Sequence, residues 1–443
     1  MPVLLPTSLT QLTDELNYHT GKLIHAGGGG NDVRRSILPG GVRVITERMP
    51  SQRSVSIGFW VGVGSRDEAP GMLGSTHFLE HLLFKGTGQR TALDIAHAFD
   101  RVGGESNALT AKEHTCYYAR VLDEDTSMAI DVIADMVTGA VIDPELLEQE
   151  RGVILEEIAM DQDDPTDVAF ESFIEQLMGT HPLGRPIGGT PQEITDVSRE
   201  AVWDHYKKFY TPDRLVISAA GSLNHGEIVK LVMESLAQRG WDLNEGTAPA
   251  PRRERLRADI TPGAESLTLE KNFEQTNIVM GCPGLIAGDD RRFAMSVLNS
   301  ALGGGMSSRL FQEIREKRGL AYSTFSFSGS YSDAGYFGMY AGCLPAKAEQ
   351  VTELMQKTFD DLARDGLTAD ELEKVIGQLG GSTILGSEDA GSRMSRLGRA
   401  ELDSGRFMSL DELLEGVRAV TLDDVQDLSR YLAQQTWVTT VVK

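Results

Sequence analysis

The chain has 443 residues, 40% of them hydrophobic and 24% charged, with a formal net charge of −23. That length exceeds what one hydrophobic core supports and implies two domains of roughly 200 residues each. So acidic a chain repels phosphate backbones and anionic lipid, which argues against nucleic acid or a membrane surface as partner and leaves a neutral or basic peptide as the easier one.

In chain order, the N-terminus carries Asp14 and Glu15 before its first cation, Lys22, and its apolar run Val3-Leu4-Leu5 is too short for a signal peptide. Gly27 to Gly30 lacks the Lys-Ser/Thr of a phosphate loop and reads as a disordered tether, so residues 1–35 are expected to be a flexible segment. An apolar strand at Val55 to Val63 precedes a helix bearing His77-Phe78-Leu79-Glu80-His81. A strand around Thr115 to Val121 and a helix opened by Asp143-Pro144-Glu145 follow, and a strand at Leu215 to Ala220 closes the half. Residues 240–263, with Ala248-Pro249-Ala250-Pro251, have no apolar period and read as an extended linker. Beyond it the same order recurs. A strand at Asn277 to Gly281 precedes a helix around Met306 to Lys317, then strands at Tyr322 to Gly329 and Tyr336 to Gly342, a helix opened by Thr368-Ala369-Asp370, and a last strand at Trp437 to Val442. The repeat implies a duplicated α+β chain, a catalytic domain at 36–239 and an inactive copy at 264–443, each a mainly antiparallel sheet packed with helices.

His77 and His81 lie four apart, on one helical face, and can share a metal ion; Glu80 can take the proton of a water activated there. The order H-x-x-E-H is the inverted zincin signature. A catalytic zinc site needs a third protein ligand and an open position. Glu150-Arg151-Gly152-Val153-Ile154-Leu155-Glu156-Glu157 offers one: Glu150 and Glu157, seven apart, share a helical stripe from which Glu156 points away. Glu157 then reads as the ligand and Glu150 as a partner that orients a ligand or the water, although two solvated charges on an amphipathic helix would look the same. All nine histidines, from His19 to His225, lie in the first half. Where the second copy should carry the motif it has Leu302-Gly303-Gly304-Gly305-Met306-Ser307-Ser308, so one metal site per chain is expected. The other histidines have no partner at ligand spacing; His114, beside a strand, is a candidate substrate contact. Cys116, Cys282 and Cys343 are an odd number in apolar surroundings and suggest no disulfide framework and a reducing cytoplasm.

These residues resemble the pitrilysin/insulinase metallopeptidases. The motif, Glu157 lying 76 positions after His81, Gly71, Leu82-Leu83-Phe84-Lys85-Gly86-Thr87 and Gly103-Gly104-Glu105-Ser106-Asn107-Ala108 all fit, most nearly to the mitochondrial processing peptidase β-subunit and its bacterial relatives. The resemblance implies zinc held by His77, His81 and Glu157, Glu80 as general base and Glu150 as an additional catalytic acidic residue. It also implies that Ser106, Asn107 and Ala108 pair an edge strand with the backbone of a peptide substrate, and that Arg315 and Tyr322 hold the scissile carbonyl and its oxyanion. From the residues alone, Asn107 is equally a turn residue after two glycines. Two such domains would form a half-shell, and two half-shells a closed chamber, which at this length implies a homodimer, or a heterodimer with a related subunit. A zinc endopeptidase is therefore the expectation. The alternatives are a non-catalytic interaction subunit, which a degenerate motif would favour, and a zinc hydrolase of non-peptide substrates.

Overall fold

The structure, a computed structural model, describes residues 19–244 and 246–443. The first half runs β1 (His19–Ala26), β2 (Asp32–Ile37), β3 (Arg43–Arg48), β4 (Ser54–Val61), α1 (Ser75–Leu83), α2 (Ala92–Asp100), β5 (Glu105–Thr110), β6 (Thr115–Leu122), α3 (Thr126–Gly139), α4 (Pro144–Asp163), α5 (Pro165–Met178), α6 (Pro191–Asp196), α7 (Arg199–Phe209), β7 (Leu215–Gly221) and α8 (His225–Gln238). The second runs β8 (Ser266–Leu269), β9 (Thr276–Pro283), α9 (Arg292–Gly303), a π-helix (Phe311–Glu316), β10 (Ala321–Ser330), β11 (Gly335–Cys343), α10 (Ala348–Asp365), α11 (Ala369–Gly386), α12 (Ala390–Asp403), α13 (Leu410–Arg418), α14 (Leu422–Ala433) and β12 (Val438–Val442). No helix among the described residues is long and apolar enough to cross a membrane.

The strands form two sheets, β1-β2-β3-β7-β4-β6-β5 and β8-β12-β9-β11-β10. From β3 and β8 onward the orders correspond strand for strand. In both, only the first pair of that common order is parallel, β3 with β7 and β8 with β12, and the rest are antiparallel. This is the α+β duplication expected from the sequence.

The compact units do not follow the halves of the sequence. Among the described residues, unit 1 comprises those up to 155, 187–252 and 387–407, and unit 2 those at 156–186, 253–386 and 408–443. Helices in equivalent positions of the two repeats have been exchanged. In unit 2, α5 lays Val168, Ala169, Phe173 and Leu177 on Val279, Tyr340, Val438 and Val442. In unit 1, α12 lays Ala390, Met394 and Leu397 on Val33, Ile45, Trp60, Val216 and Ala220. A sheet with two apolar faces must have both covered, and a helix of the other repeat does so here. The expected boundaries at 239 and 264 therefore miss this exchange, because periodicity marks a helix's apolar face without saying which sheet it meets.

Two further expectations are corrected. Of the segment 1–35 expected to be flexible, residues 1–18 lie outside the described residues, and 19–35 are not a tether: β1 pairs antiparallel with β2, and Gly27-Gly30 is the turn, with Gly29 and Gly30 at φ 71° and 86°, where glycine is the easy residue. Backbone pairing along the otherwise open edge of β2 orders a strand whose side chains offer little apolar signal. In the second repeat, α9 was not expected; it occupies the place between β9 and β10 that α1 holds between β4 and β5. The helix expected at Met306 to Lys317 is reduced to the π-helix. At Gly303 a Cβ would lie 2.1 Å from the Ser326 nitrogen, so the glycines let α9 close onto β10. The linker from Thr247 to Gly263 has no regular element, as expected, yet Arg252 is ion-paired to Glu401 at 2.9 Å and Ala258 N–H donates to Asp333 O at 2.8 Å.

Candidate metal centre

Helix α1 begins at Gly74, whose φ of 84° turns the chain, and its first amides are taken by a buried carboxylate: Glu68 accepts from Gly74 N at 2.8 Å and from Thr76 N at 2.7 Å. A negative charge there complements the positive end of the helix. Phe78, Leu79, Leu82 and Leu83 are buried, which leaves His77, Glu80 and His81 on the half-exposed face. The imidazole rings of His77 and His81 stand 4.8 Å apart, centroid to centroid, at 82°.

Helix α4 is capped by Asp143, whose Oδ1 accepts from Glu145 N at 2.8 Å and Leu146 N at 3.2 Å. The division between the units falls inside this continuous helix, between Leu155 and Glu156, and Glu157 follows two residues later. One ligand atom each of His77, His81 and Glu157 lies within 4.8 Å of the others, and these are the three metal-competent residues that converge among those described. Glu156 is not among them. Two imidazoles and a carboxylate are one of the ligand sets of catalytic zinc, in which three protein ligands leave the fourth position for water or substrate. Burial holds the imidazole of His77 below its ordinary value, helped by the neighbouring His81 and opposed by Glu80; a neutral ring is what a metal requires.

Glu150, one stripe position before Glu157, is 5% exposed. Its Oε2 lies 3.2 Å from His81 Nδ1, and its Oε1 is ion-paired with Lys85 Nζ at 2.7 Å. The carboxylate of Glu80 accepts a hydrogen bond from the Thr110 hydroxyl, on the last residue of β5. That strand is the edge of its sheet: Ser106, Asn107 and Ala108 pair with Ala119, Tyr118 and Tyr117 of β6, and the opposite edge has no strand beside it among the described residues. Asn107 Oδ1 accepts from the next amide, Ala108 N, at 2.8 Å.

Arg315 and Tyr322 belong to unit 2, where they lie together. Arg315 Nη1 donates to Tyr322 O at 3.0 Å, and its guanidinium sits 4.6 Å from the Tyr322 ring centroid and 4.7 Å from that of Phe311. Tyr322 is 77% exposed. Arg315 lies in the π-helix, a rare distortion that recurs at functional sites.

The family model described as insulinase (peptidase family M16) matches residues 43–191, and that of the M16 inactive domain matches residues 196–379. Curated relatives named as uncharacterized zinc proteases include one of Streptomyces coelicolor, 48% identical over 411 residues, covering 93% of this chain and 89% of the relative. The chain belongs to the insulinase family. Another M16 relative so named, from Mycobacterium tuberculosis, is 46% identical over 401 residues, 90% of each chain. One from Bacillus subtilis is 40% identical over 400 residues, 90% of this chain and 95% of its own. Among solved structures, a protease from Helicobacter pylori matches with a TM-score of 0.83 at 20% identity, over 93% of this chain and 99% of that one. A peptidase M16 inactive domain from Pseudomonas fluorescens matches equally well, over 93% and 97%. Both share this M16 fold.

The roles of three residues escape the sequence reading of this M16 chain: Glu68, and Lys85 and Thr110, which lie within the family-like runs without a part assigned to them. Glu68 lies nine residues before His77 across an irregular turn, and Lys85 and Thr110 acquire meaning only through α4 and α1. No spacing flags them. Of the remaining histidines, His114 packs its ring at a tilt of 54° against Trp60, 5.4 Å between centroids, His205 lies 3.1 Å from the Thr76 hydroxyl, and His225 links Ser36 to Thr46. None joins the metal group.

Proposed function

We propose that this chain is a zinc-dependent endopeptidase that cleaves peptides or extended polypeptide segments. The observation that carries the reading is the convergence of His77, His81 and Glu157 beside a carboxylate, Glu80, tied to the end of an open edge strand. His77, His81 and Glu157 would hold one zinc ion, which when bound acidifies water toward neutrality and polarises a carbonyl. Glu80 is the general base. The Thr110 hydroxyl holds one oxygen of its carboxylate, and the other takes the proton of the attacking water and passes it to the departing amine. Glu150 fixes His81 through Nδ1 and thereby supports the ligand set rather than the bond-breaking itself.

The substrate backbone would add as a strand to the free edge of β5 at Ser106, Asn107 and Ala108, presenting its carbonyl near the base. Arg315 and Tyr322, paired and exposed, supply the cation and hydroxyl suited to an oxyanion. In this reading the Arg/Tyr pair serves the zinc of a second copy, so that two chains enclose the substrate. A heterodimer with a related subunit is the other assembly that fits the chemistry.

The competing reading is a non-catalytic interaction subunit. A fold neighbour is titled an inactive domain, but here the ligands and the base are all present. The test is a mixed peptide library incubated with the protein, with and without chelator, and read by mass spectrometry, with Glu80→Gln as control. Chelator-sensitive cleavage that the wild type performs and Glu80→Gln lacks by at least about 10²-fold is expected. A Glu80→Gln protein that cleaves at a near-normal rate would sink the mechanism, and a wild type that binds peptides without cutting them would establish the interaction subunit.

A further inference from the structure

We infer that Lys85 is a positioning residue for the metal ligand His81, acting through Glu150. The inference rests on the zinc reading above. His81 lies in the last turn of α1 and Lys85 in the turn just after the helix ends at Leu83, and both reach the same side chain of α4. Each takes a different oxygen of the Glu150 carboxylate: Oε2 lies 3.2 Å from His81 Nδ1, and Oε1 lies 2.7 Å from Lys85 Nζ.

The carboxylate is 5% exposed, so water cannot replace a partner at low cost. With both oxygens engaged it cannot turn about its terminal bond. Its Oε2 must then accept from Nδ1–H, which leaves Nε2 as the unprotonated ring nitrogen, the one able to bind a metal. Lys85, 35% exposed in its side chain, balances the charge of Glu150 from the solvent side. Remove the ammonium and Glu150 becomes a buried carboxylate with one neutral partner, free to rotate away from His81 or to leave the site. Ligand histidines are commonly oriented by such a carboxylate; the structure adds the cation that orients the orienter.

Two effects of Lys85 on a metal oppose each other, and this makes the proposal testable. As a cation near the site it repels Zn²⁺, so its removal should tighten binding. As the holder of Glu150 it preorganises His81, so its removal should weaken binding. The second dominates, because the repulsion is largely cancelled by the intervening buried carboxylate.

The experiment measures zinc affinity by chelator competition at pH 8 in wild type, Lys85→Met and Lys85→Arg, and the tautomer of His81 by ¹⁵N NMR of the metal-free proteins. Lys85→Met should bind zinc about 10-fold more weakly, within the 10–100-fold that outer partners cost, and Lys85→Arg should stay within about 3-fold of wild type. His81 should carry its proton on Nδ1 in wild type and Lys85→Arg, and populate both tautomers in Lys85→Met. Unchanged or tighter zinc binding by Lys85→Met overturns the proposal, as does a wild-type His81 protonated on Nε2. A drop in melting temperature with neither change would reassign Lys85 to a structural role and overturn it too. If wild type binds no zinc while the tautomers behave as stated, the positioning of His81 stands and the zinc reading falls.

Discussion

In unit 1, the helix that follows β4 carries His77, Glu80 and His81; in unit 2, the helix that follows the equivalent strand β9 is Arg292–Gly303, with neither an imidazole nor a carboxylate. The later helices of the two repeats differ in the same way. The seventh and fourteenth residues of α4 are Glu150 and Glu157, whereas those of α11 are Val375 and Ser382. Strand order and parallel pairing are nevertheless common to both sheets. The core that builds the fold therefore does not depend on the site. The chemistry sits on helix positions outside the shared strand framework, where a repeat can lose or keep it.

The largest effect that could break this comparison lies at Glu157. Glu157→Gln should weaken zinc binding by more than the 10–100-fold that outer partners cost, because it replaces a charged ligand, while Glu156→Gln and the counterpart Ser382→Ala leave it unchanged. Metal content per chain after dialysis against graded chelator measures this. Loss of metal in Glu156→Gln instead would mean that the register of α4 is wrong.

The exchanged helices differ too, in what anchors them. Helix α12 places Glu401, 1% exposed, against Arg35 at 2.7 Å, Arg252 at 2.9 Å and Arg43 at 3.9 Å. Helix α5 relies on aromatic packing, Phe170 and Phe173 against Phe327, with Gln176 accepting from Thr440 Oγ1 at 2.5 Å. Breaking a buried ion cluster strands its other members. Glu401→Gln should thus cost about 3–5 kcal/mol, and Gln176→Ala only about 1–3 kcal/mol. Urea-unfolding midpoints of the metal-free proteins provide the measurement, and a larger loss for Gln176→Ala would reverse the assignment.

How much of this was legible beforehand follows from what is local. His77, His81, Glu80 and the stripe from Glu150 to Glu157 are helix arithmetic, and the strands around Val55, Thr115, Leu215, Tyr322 and Tyr336 are apolar runs between breakers; all of these were readable. The roles of Arg315 and Tyr322 came from family resemblance, and the structure adds only their mutual contact. Lys85, Thr110 and Glu68 were invisible because each acts on a residue brought near by folding. The exchange of α5 and α12 was invisible for a related reason: an apolar face does not carry the address of its sheet. The strand β1 was missed because backbone pairing, rather than side-chain burial, holds it.

The smallest effect concerns the floor under the metal helix. His205 on α7 is 1% exposed, with its Nε2 3.1 Å from the Thr76 hydroxyl, beside His77. Burial holds its pKa down to about 4, against 6.5 for the free side chain, with Lys208 adding to the burial and Asp67 opposing it. Between those values the unfolded chain binds a proton that the folded chain refuses, so acid favours unfolding. The stability contributed by the neutral ring is whole above about pH 6.5 and falls as the pH drops, by about 2 kcal/mol at pH 5. His205→Asn should be less stable than wild type at pH 8, since it loses the ring packing on Phe209, but it carries no such proton. The gap between the two proteins should therefore narrow by about 2 kcal/mol at pH 5, in urea unfolding of metal-free samples. A gap for His205→Asn that stays constant from pH 8 to pH 5 would mean that the ring is not held neutral, and that α7 does not seal the base of α1 as described.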